Sequence, residues 1–227
     1  KHLRESLHAA LDNRVGFVEA SIGRMVPVMT AAQHAEDPLL VCVEPYCELP
    51  VDALGFKGQI PELAHLKPIP NFGAYVERKL FIHNMSHAAC AYIGHLRGHA
   101  YIADAIRDDY VRERVVAAMN ESLEGLARKH GLERGPLHAH RDDLIHRYHN
   151  RALGDQIARV GRDPIRKLGP EDRLIGAATM CLQHDISPRA IALATAAAIL
   201  YHNPEEPART PCKPCAGSAG SPPCARP

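Results

Sequence analysis

Apolar residues recur at helical spacing through much of the 227-residue chain, and the clearest such stretch runs from Asn71 to Gly98. Within it Tyr75, Leu80, Ile82, Met85, Ala89 and Ile93 keep the period of a helix with one buried side, polar residues filling the other faces. Pro68 and Pro70 precede it, Asn71 is suited to cap it, and Gly98 supplies a stop. Further on, Ile102, Ile106, Val115, Met119, Leu123 and Leu126 predict one helix over Tyr101 to His130, closed by Gly131. Pro136 opens another helical stretch through HAHRDDLIHRYHN, and Pro170 is placed to start one carrying Leu174 and Ile175. Ser187 and Pro188 read as N-cap and first residue of an Ala-rich helix ending near His202.

The first 70 residues pattern differently. Leu3, Leu7 and Leu11 suggest the end of a helix, which Asn13 to Gly16 breaks. Gly16 to Pro27 is extended in character, and Ala31 to Pro38 is polar and loop-like. Leu39 to Val51 is the clearest strand, with Leu40, Cys42 and Glu44 facing one way and Val41 and Val43 the other, until Pro45 interrupts. These two extended pieces are expected to pair as a small antiparallel ribbon, followed by a Gly- and Pro-rich connection from Asp52 to Asn71. From Pro204 the chain is dominated by Pro, Gly, Ser and Ala with no apolar period, and a disordered tail is expected. Three segments follow: 1–70, 71–203 and 204–227.

At 46% hydrophobic residues the chain can bury one substantial core. A net charge of +1 recruits neither nucleic acid nor an anionic membrane, and the run Ala190 to Leu200 is too short to span a bilayer. Cys42, Cys47, Cys90 and Cys181 stand singly in structured sequence, which fits buried thiols in a reducing compartment, so a soluble, cytoplasmic protein is expected. The chain opens KHLRESLHAAL, without Met or a secretory signal, and reads as part of a longer or trimmed polypeptide.

The candidate chemistry sits inside the first helix. At roughly 100° per residue, Lys79, Asn84 and His87 fall within an arc of about 140°, so amine, amide and imidazole are able to face one cleft. That set suits proton transfer to and from a hydroxyl; the same spacing also fits a solvated face with an incidental imidazole. Metal chemistry has little support. His95 and His99 have i,i+4 spacing but no third ligand, His138, His140, His146 and His149 are interleaved with charges, and Cys212, Cys215 and Cys224 offer three thiols where a zinc site needs four ligands. No GxSxG, P-loop or GxGxxG motif is present. Arg159, Arg162, Arg166, Lys167 and Arg173 form a basic segment suited to phosphate or, equally, to internal ion pairs with Asp155, Asp163, Glu171 and Asp172.

With those residues assembled, the sequence resembles the C-terminal domain of the polyol-specific long-chain dehydrogenases, in particular their mannitol-1-phosphate 5-dehydrogenase branch. The family's helix signature of Lys, four residues, Asn, two residues, His stands as KLFIHNMSH, after AYVERK. GFVEASIGRMVP, VEPYCELPVDALGFKG and RVGRDPIRKLGPEDRLIG resemble three further blocks in the same order, and the likeness runs from about Val15 to His202. Glu19 stands where this branch usually has Asp, and Gly23 where Asp is usual.

The resemblance implies a mainly α fold, a helical domain like the C-terminal part of 6-phosphogluconate dehydrogenase with a small antiparallel β element near the N-terminus. It implies metal-free, NAD-dependent interconversion of mannitol 1-phosphate and fructose 6-phosphate. Lys79 would be the base, Asn84 would hold the reacting oxygen, and His87 would hold that oxygen or a neighbouring hydroxyl. Glu19, Arg162, Arg166 and Lys167 are carried as substrate contacts, the last three for phosphate. NAD would be gripped mainly by an N-terminal Rossmann domain expected to be absent here, leaving the chain alone inactive. A related polyol or hexuronate dehydrogenase is the alternative, and a non-catalytic helical binding module the third reading. The partner expected is a small polyol phosphate, with neither nucleic acid nor membrane, and a monomer is expected.

Overall fold

The computed structural model describes residues 15–26 and 29–202. The Leu3–Leu11 helix end, the tail from Pro204 and its three cysteines lie outside the described residues.

Helix α1 (Ala31–Glu36) comes first, then strands β1 (Leu49–Asp52) and β2 (Leu66–Ile69). A continuous helical rod follows: α2 (Phe72–Arg78), a π-helical segment (Lys79–Asn84) and α3 (Met85–Leu96). The short α4 (Ile102–Ala105) leads into α5 (Asp109–His130) and α6 (Arg134–Tyr148). Then come α7 (Ile157–Val160), α8 (Pro164–Lys167), α9 (Ile175–Gln183) and α10 (Arg189–Leu200). The protein is mainly helical.

The core forms where α3, α5, α9 and α10 pack together. Met85, Tyr92, Met119, Leu123, Leu126 and Ile191 are among its fully buried side chains. Small residues along α3, Ala88, Ala89, Ala91 and Gly94, let neighbouring segments come close. At Gly94 an added Cβ would lie 2.6 Å from the Ala105 Cβ and 3.0 Å from the Ile157 side chain, so only hydrogen fits between α3, α4 and α7. Cys90 and Cys181 are buried as expected of structural thiols, whereas Cys42 is half-buried and Cys47 exposed. Among the described residues no helix is long and apolar enough to cross a membrane.

The caps explain several boundaries. Asn71 Oδ1 accepts from the Ala74 N–H at 3.2 Å and starts α2 as its side chain predicts. Gly98, at φ +82°, and Gly131, at φ +63°, end α3 and α5 in the left-handed conformation that glycine adopts without strain. The stretch expected as one helix from Tyr101 divides, because Asp108 turns its carboxylate onto the Tyr110 N–H and begins a new helix at Asp109. The start of α10 is not capped by Ser187. Glu121, from the middle of α5, receives the Ala190 and Ile191 N–H groups at 2.8 and 3.0 Å and ties the two helices together.

The N-terminal part departs most from expectation. Ala31–Glu36 is a helix, not a loop, held by a capping box in which Thr30 and Gln33 bond each other's backbone N–H. The long strand shrinks to β1, and its regular partner is β2, in parallel, with Leu49 opposite Leu66 and Asp52 opposite Ile69. The antiparallel ribbon is therefore corrected to a parallel pair, and the Gly16–Pro27 stretch contributes a single antiparallel bridge, Ala20 to Val51. β1 thus sits between β2 and the Ala20 segment and has no free edge for a longer ribbon.

Candidate active site

Lys79 and Asn84 are the first and last residues of the π-helical segment. In an α-helix these two would diverge by about 140°; a turn bonded i to i+5 places residues five apart closer to one side of the rod. The inserted residue also turns Phe81, Ile82 and His83 into the interior together. Ser122, from α5, donates to the Phe81 carbonyl at 2.7 Å, satisfying a backbone acceptor inside the widened turn.

Lys79 lines a cavity of about 160 Å³. Its other walls are Gly23, Tyr46 and Glu48 from the N-terminal part, Tyr75, Arg78 and His83 from the helical rod, and His140, Asp143 and Arg147 from α6. The Lys79 ammonium donates to the Ile22 carbonyl, and burial lowers its pKa below that of a free lysine. His83 is 8% exposed and strongly favours the neutral form, through burial first and then the neighbouring cations and imidazoles. Burial, reinforced by Arg78 and Arg147, pulls His140 down to about 4.

One ion pair places the N-terminal segment over this cavity. Arg147 meets both oxygens of Glu44, its Nε at 3.0 Å from Oε2, and donates to the Gly23 carbonyl at 2.9 Å. Glu44 also accepts from the Met25 N–H at 2.6 Å. With side chains only 6% and 12% exposed, this fork fixes the segments around residues 23 and 44 against α6.

His87 does not line the cavity; it lies further along the rod. Its Nε2 is 2.6 Å from Asp155 Oδ2, and its ring stacks on Tyr148 with centroids 5.2 Å apart. Asp155 also binds Arg159. Burial alone would raise the Asp155 pKa, but the bonds from His87 and Arg159 outweigh it and hold the carboxyl ionised. Tyr148 and His83 connect the two regions: the Tyr148 hydroxyl donates to the His83 carbonyl at 3.1 Å, and the His83 and His87 rings are 6.3 Å apart. Asn84 is half-buried and follows Lys79 on the same helix. Of Lys79, Asn84 and His87, Lys79 alone lines the enclosed cavity.

The proposed phosphate contacts are engaged locally. Arg166 pairs with Asp163 at 3.0 Å and Asp172 at 3.1 Å, while Arg162 is exposed. Lys167 is 5% exposed and donates to the Val160 carbonyl below the Tyr92 ring. Burial, then Arg173 and Arg166, lowers its pKa to about 8. The Glu19 side chain is exposed and its carbonyl receives the Asp52 N–H at 2.9 Å; it is not part of the cavity wall.

Of the histidines weighed as ligands, His95 packs edge-on against Tyr201 and His99 bonds Asp108 at 3.1 Å. Among the described residues no three His, Cys, Asp or Glu side chains gather as a metal site. Sequence reasoning missed Arg78, His83 and the Glu44–Arg147 pair; it weighed His140 only within a histidine cluster and Asp155 only as an ion-pair partner of the basic segment, which its bond to Arg159 bears out. The one usable signal was the helical spacing of His140 and Arg147, which places both on one side of α6.

Comparison with known families gives two matches. Residues 71–214 match the mannitol dehydrogenase C-terminal domain, and residues 1–65, read above as a helix end, a β element and a connection, match the mannitol dehydrogenase Rossmann domain. Among solved structures, the Pseudomonas fluorescens mannitol 2-dehydrogenase ternary complex with NAD and D-mannitol is similar at 23% identity and a TM-score of 0.69, over 87% of this chain and 41% of that one. A substrate-free D-sorbitol dehydrogenase is similar at 19% identity and a TM-score of 0.65, over 81% of this chain and 39% of that one. The chain spans less than half the length of either, and at these identities the likeness is one of fold.

Proposed function

The chain belongs to the mannitol dehydrogenase family, and on that premise we propose that it is the substrate-binding and catalytic half of an NAD-dependent polyol dehydrogenase. We take mannitol 1-phosphate as its substrate, oxidised reversibly to fructose 6-phosphate, with an unphosphorylated polyol or a hexuronate as the alternative. The observation that carries the reading is Lys79. It is a half-buried amine of lowered pKa in a small polar cavity, at the head of a π turn followed on the same helix by Asn84 and His87.

The chemistry assigned to these residues is proton handling. Neutral Lys79 takes the proton of the carbinol as the C–H hydride departs and the C–O bond becomes a carbonyl; in reduction the Lys79 ammonium returns that proton. Burial brings the neutral amine within reach at a lower pH than for a free lysine. Asn84 donates to the reacting oxygen and stabilises its developing charge. His87, held in place by Asp155 and Tyr148, binds the same oxygen or an adjacent hydroxyl.

NAD, when bound, supplies the hydride acceptor. The Lys79 cavity of about 160 Å³ is too small for a dinucleotide, and no glycine-rich strand-to-helix turn borders it. The grip on NAD is therefore assigned to the rest of the Rossmann domain, and the 227-residue chain alone is expected to turn over little. Rates on mannitol 1-phosphate, mannitol and a hexuronate, measured with the complete Rossmann domain attached, test the reading. A clear preference for the phosphorylated polyol supports it, and a preference for either of the others moves the substrate assignment there.

A further inference from the structure

We infer that Arg78, with His140 beside it, forms the subsite that receives the terminal phosphate monoester of the substrate. This rests on the polyol-phosphate reading and adds to it a place for the anion.

Three cations line the Lys79 cavity, and two of them are engaged. Arg147 is neutralised by Glu44 and bonded to the Gly23 carbonyl, and Lys79 donates to the Ile22 carbonyl. The Arg78 side chain makes neither a hydrogen bond nor an ion pair among the described residues; its guanidinium is laid over the Tyr75 ring, 4.5 Å from the centroid. Its Nε is buried without a partner. The Nε2 of His140 is likewise buried and unpartnered, and both residues are walls of the same cavity. Two unsatisfied nitrogens at one small cavity are costly unless something completes them.

Two acids also line the cavity, and neither pairs with Arg78. Glu48 lies 3.6 Å from Lys67, and Asp143 lies 3.6 Å from Arg147. What is left is an uncompensated planar fork, the geometry that takes a phosphate with two parallel bonds. His140, held neutral by burial, adds a donor without adding charge. A cavity of about 160 Å³ is smaller than the roughly 300–1,000 Å³ pockets that hold drug-sized ligands and suits a small polar molecule. Arg78 and Lys79 both line this cavity, and in mannitol 1-phosphate the phosphate-bearing carbon lies four carbons from the carbinol that becomes the ketone, so the substrate would span from the fork to the proposed base. By contrast Arg166 already holds two carboxylates and Lys167 is turned to a carbonyl.

The test uses the enzyme carrying this chain with its complete Rossmann domain, titrated calorimetrically with mannitol 1-phosphate, mannitol, inorganic phosphate and a hexuronate. Arg78→Met keeps the apolar stem over Tyr75 and removes the fork. It is expected to weaken mannitol 1-phosphate and inorganic phosphate by about 10- to 100-fold while leaving mannitol within about 2-fold. Equal loss for mannitol and its phosphate, or no loss for either, overturns the assignment. So does loss of the phosphate preference in Arg166→Gln and not in Arg78→Met. Should Arg78→Met not fold, the His140 imidazole resonances of the unaltered protein decide: they move on adding inorganic phosphate if the subsite is real, and stay fixed if it is not. A native enzyme that binds mannitol as tightly as its phosphate defeats the polyol-phosphate reading itself, and the subsite with it. Tighter binding of the hexuronate than of the phosphate likewise defeats both. A phosphate preference that Arg78→Met leaves intact defeats the subsite alone.

Discussion

Glu44→Gln is the substitution that most sharply probes how the cavity is built. The amide is nearly isosteric with the carboxylate, so packing is kept and only the charge goes. Arg147 would then sit 12% exposed beside the Gly23 carbonyl, with Asp143, itself 57% exposed and 3.6 Å away, as its remaining counter-charge. Removing one member of a buried pair costs about 3–5 kcal/mol, because the other charge is left uncompensated in a poorly polarisable site. For a domain of this size that corresponds to a fall of about 6–20 °C in the melting temperature. Thermal unfolding followed by circular dichroism reads the change directly, and limited proteolysis should show earlier cutting between residues 15 and 48. The double variant Glu44→Leu with Arg147→Met removes both charges and should recover much of the loss. A fall of less than about 2 °C in Glu44→Gln would refute the view that this pair pins the N-terminal segment over Lys79.

Other outcomes follow from the same contacts. His140 is held neutral down to about pH 4, against an ordinary value of 6.5, so between those values the unfolded chain binds a proton that the folded chain refuses. The His140 contribution to stability therefore falls as pH drops, by about 2 kcal/mol between pH 7 and pH 5, and the gap between urea midpoints at the two pH values should narrow in His140→Gln, buried His83 keeping the rest of it. Glu121→Ala strips two acceptors from the start of α10 and should cost about 1–2 kcal/mol by urea denaturation. Asp155→Asn keeps the shape beside His87 but removes its charge; in the complete enzyme kcat should fall about tenfold or more with little change in KM.

The sequence was informative where structure is local. Asn71, Gly98 and Gly131 act as caps and stops because capping depends on one side chain and a few neighbouring N–H groups. The T-A-A-Q run at Thr30–Gln33 carried the same kind of signal, and it makes a helix where composition suggested a loop. The π turn was not legible, since a uniform 100° step presumes the regular hydrogen bonding that the inserted residue breaks. Strand pairing was not legible either: β1 had two possible neighbours, and the parallel one, β2, lies across a connection without apolar alternation. The cavity walls come from segments far apart in the chain. Lys79 was found by its motif, whereas Arg78, His140 and Arg147 gain meaning only once α6 is folded against the helical rod.

The central claim is that Lys79 moves the substrate's proton. Lys79→Ala, in the enzyme with its complete Rossmann domain, tests it most directly, with turnover, NAD binding and polyol binding measured on the same preparation. The account predicts a loss in kcat of about 10²- to 10⁴-fold with NAD binding unchanged. Turnover close to that of the unaltered enzyme would contradict it.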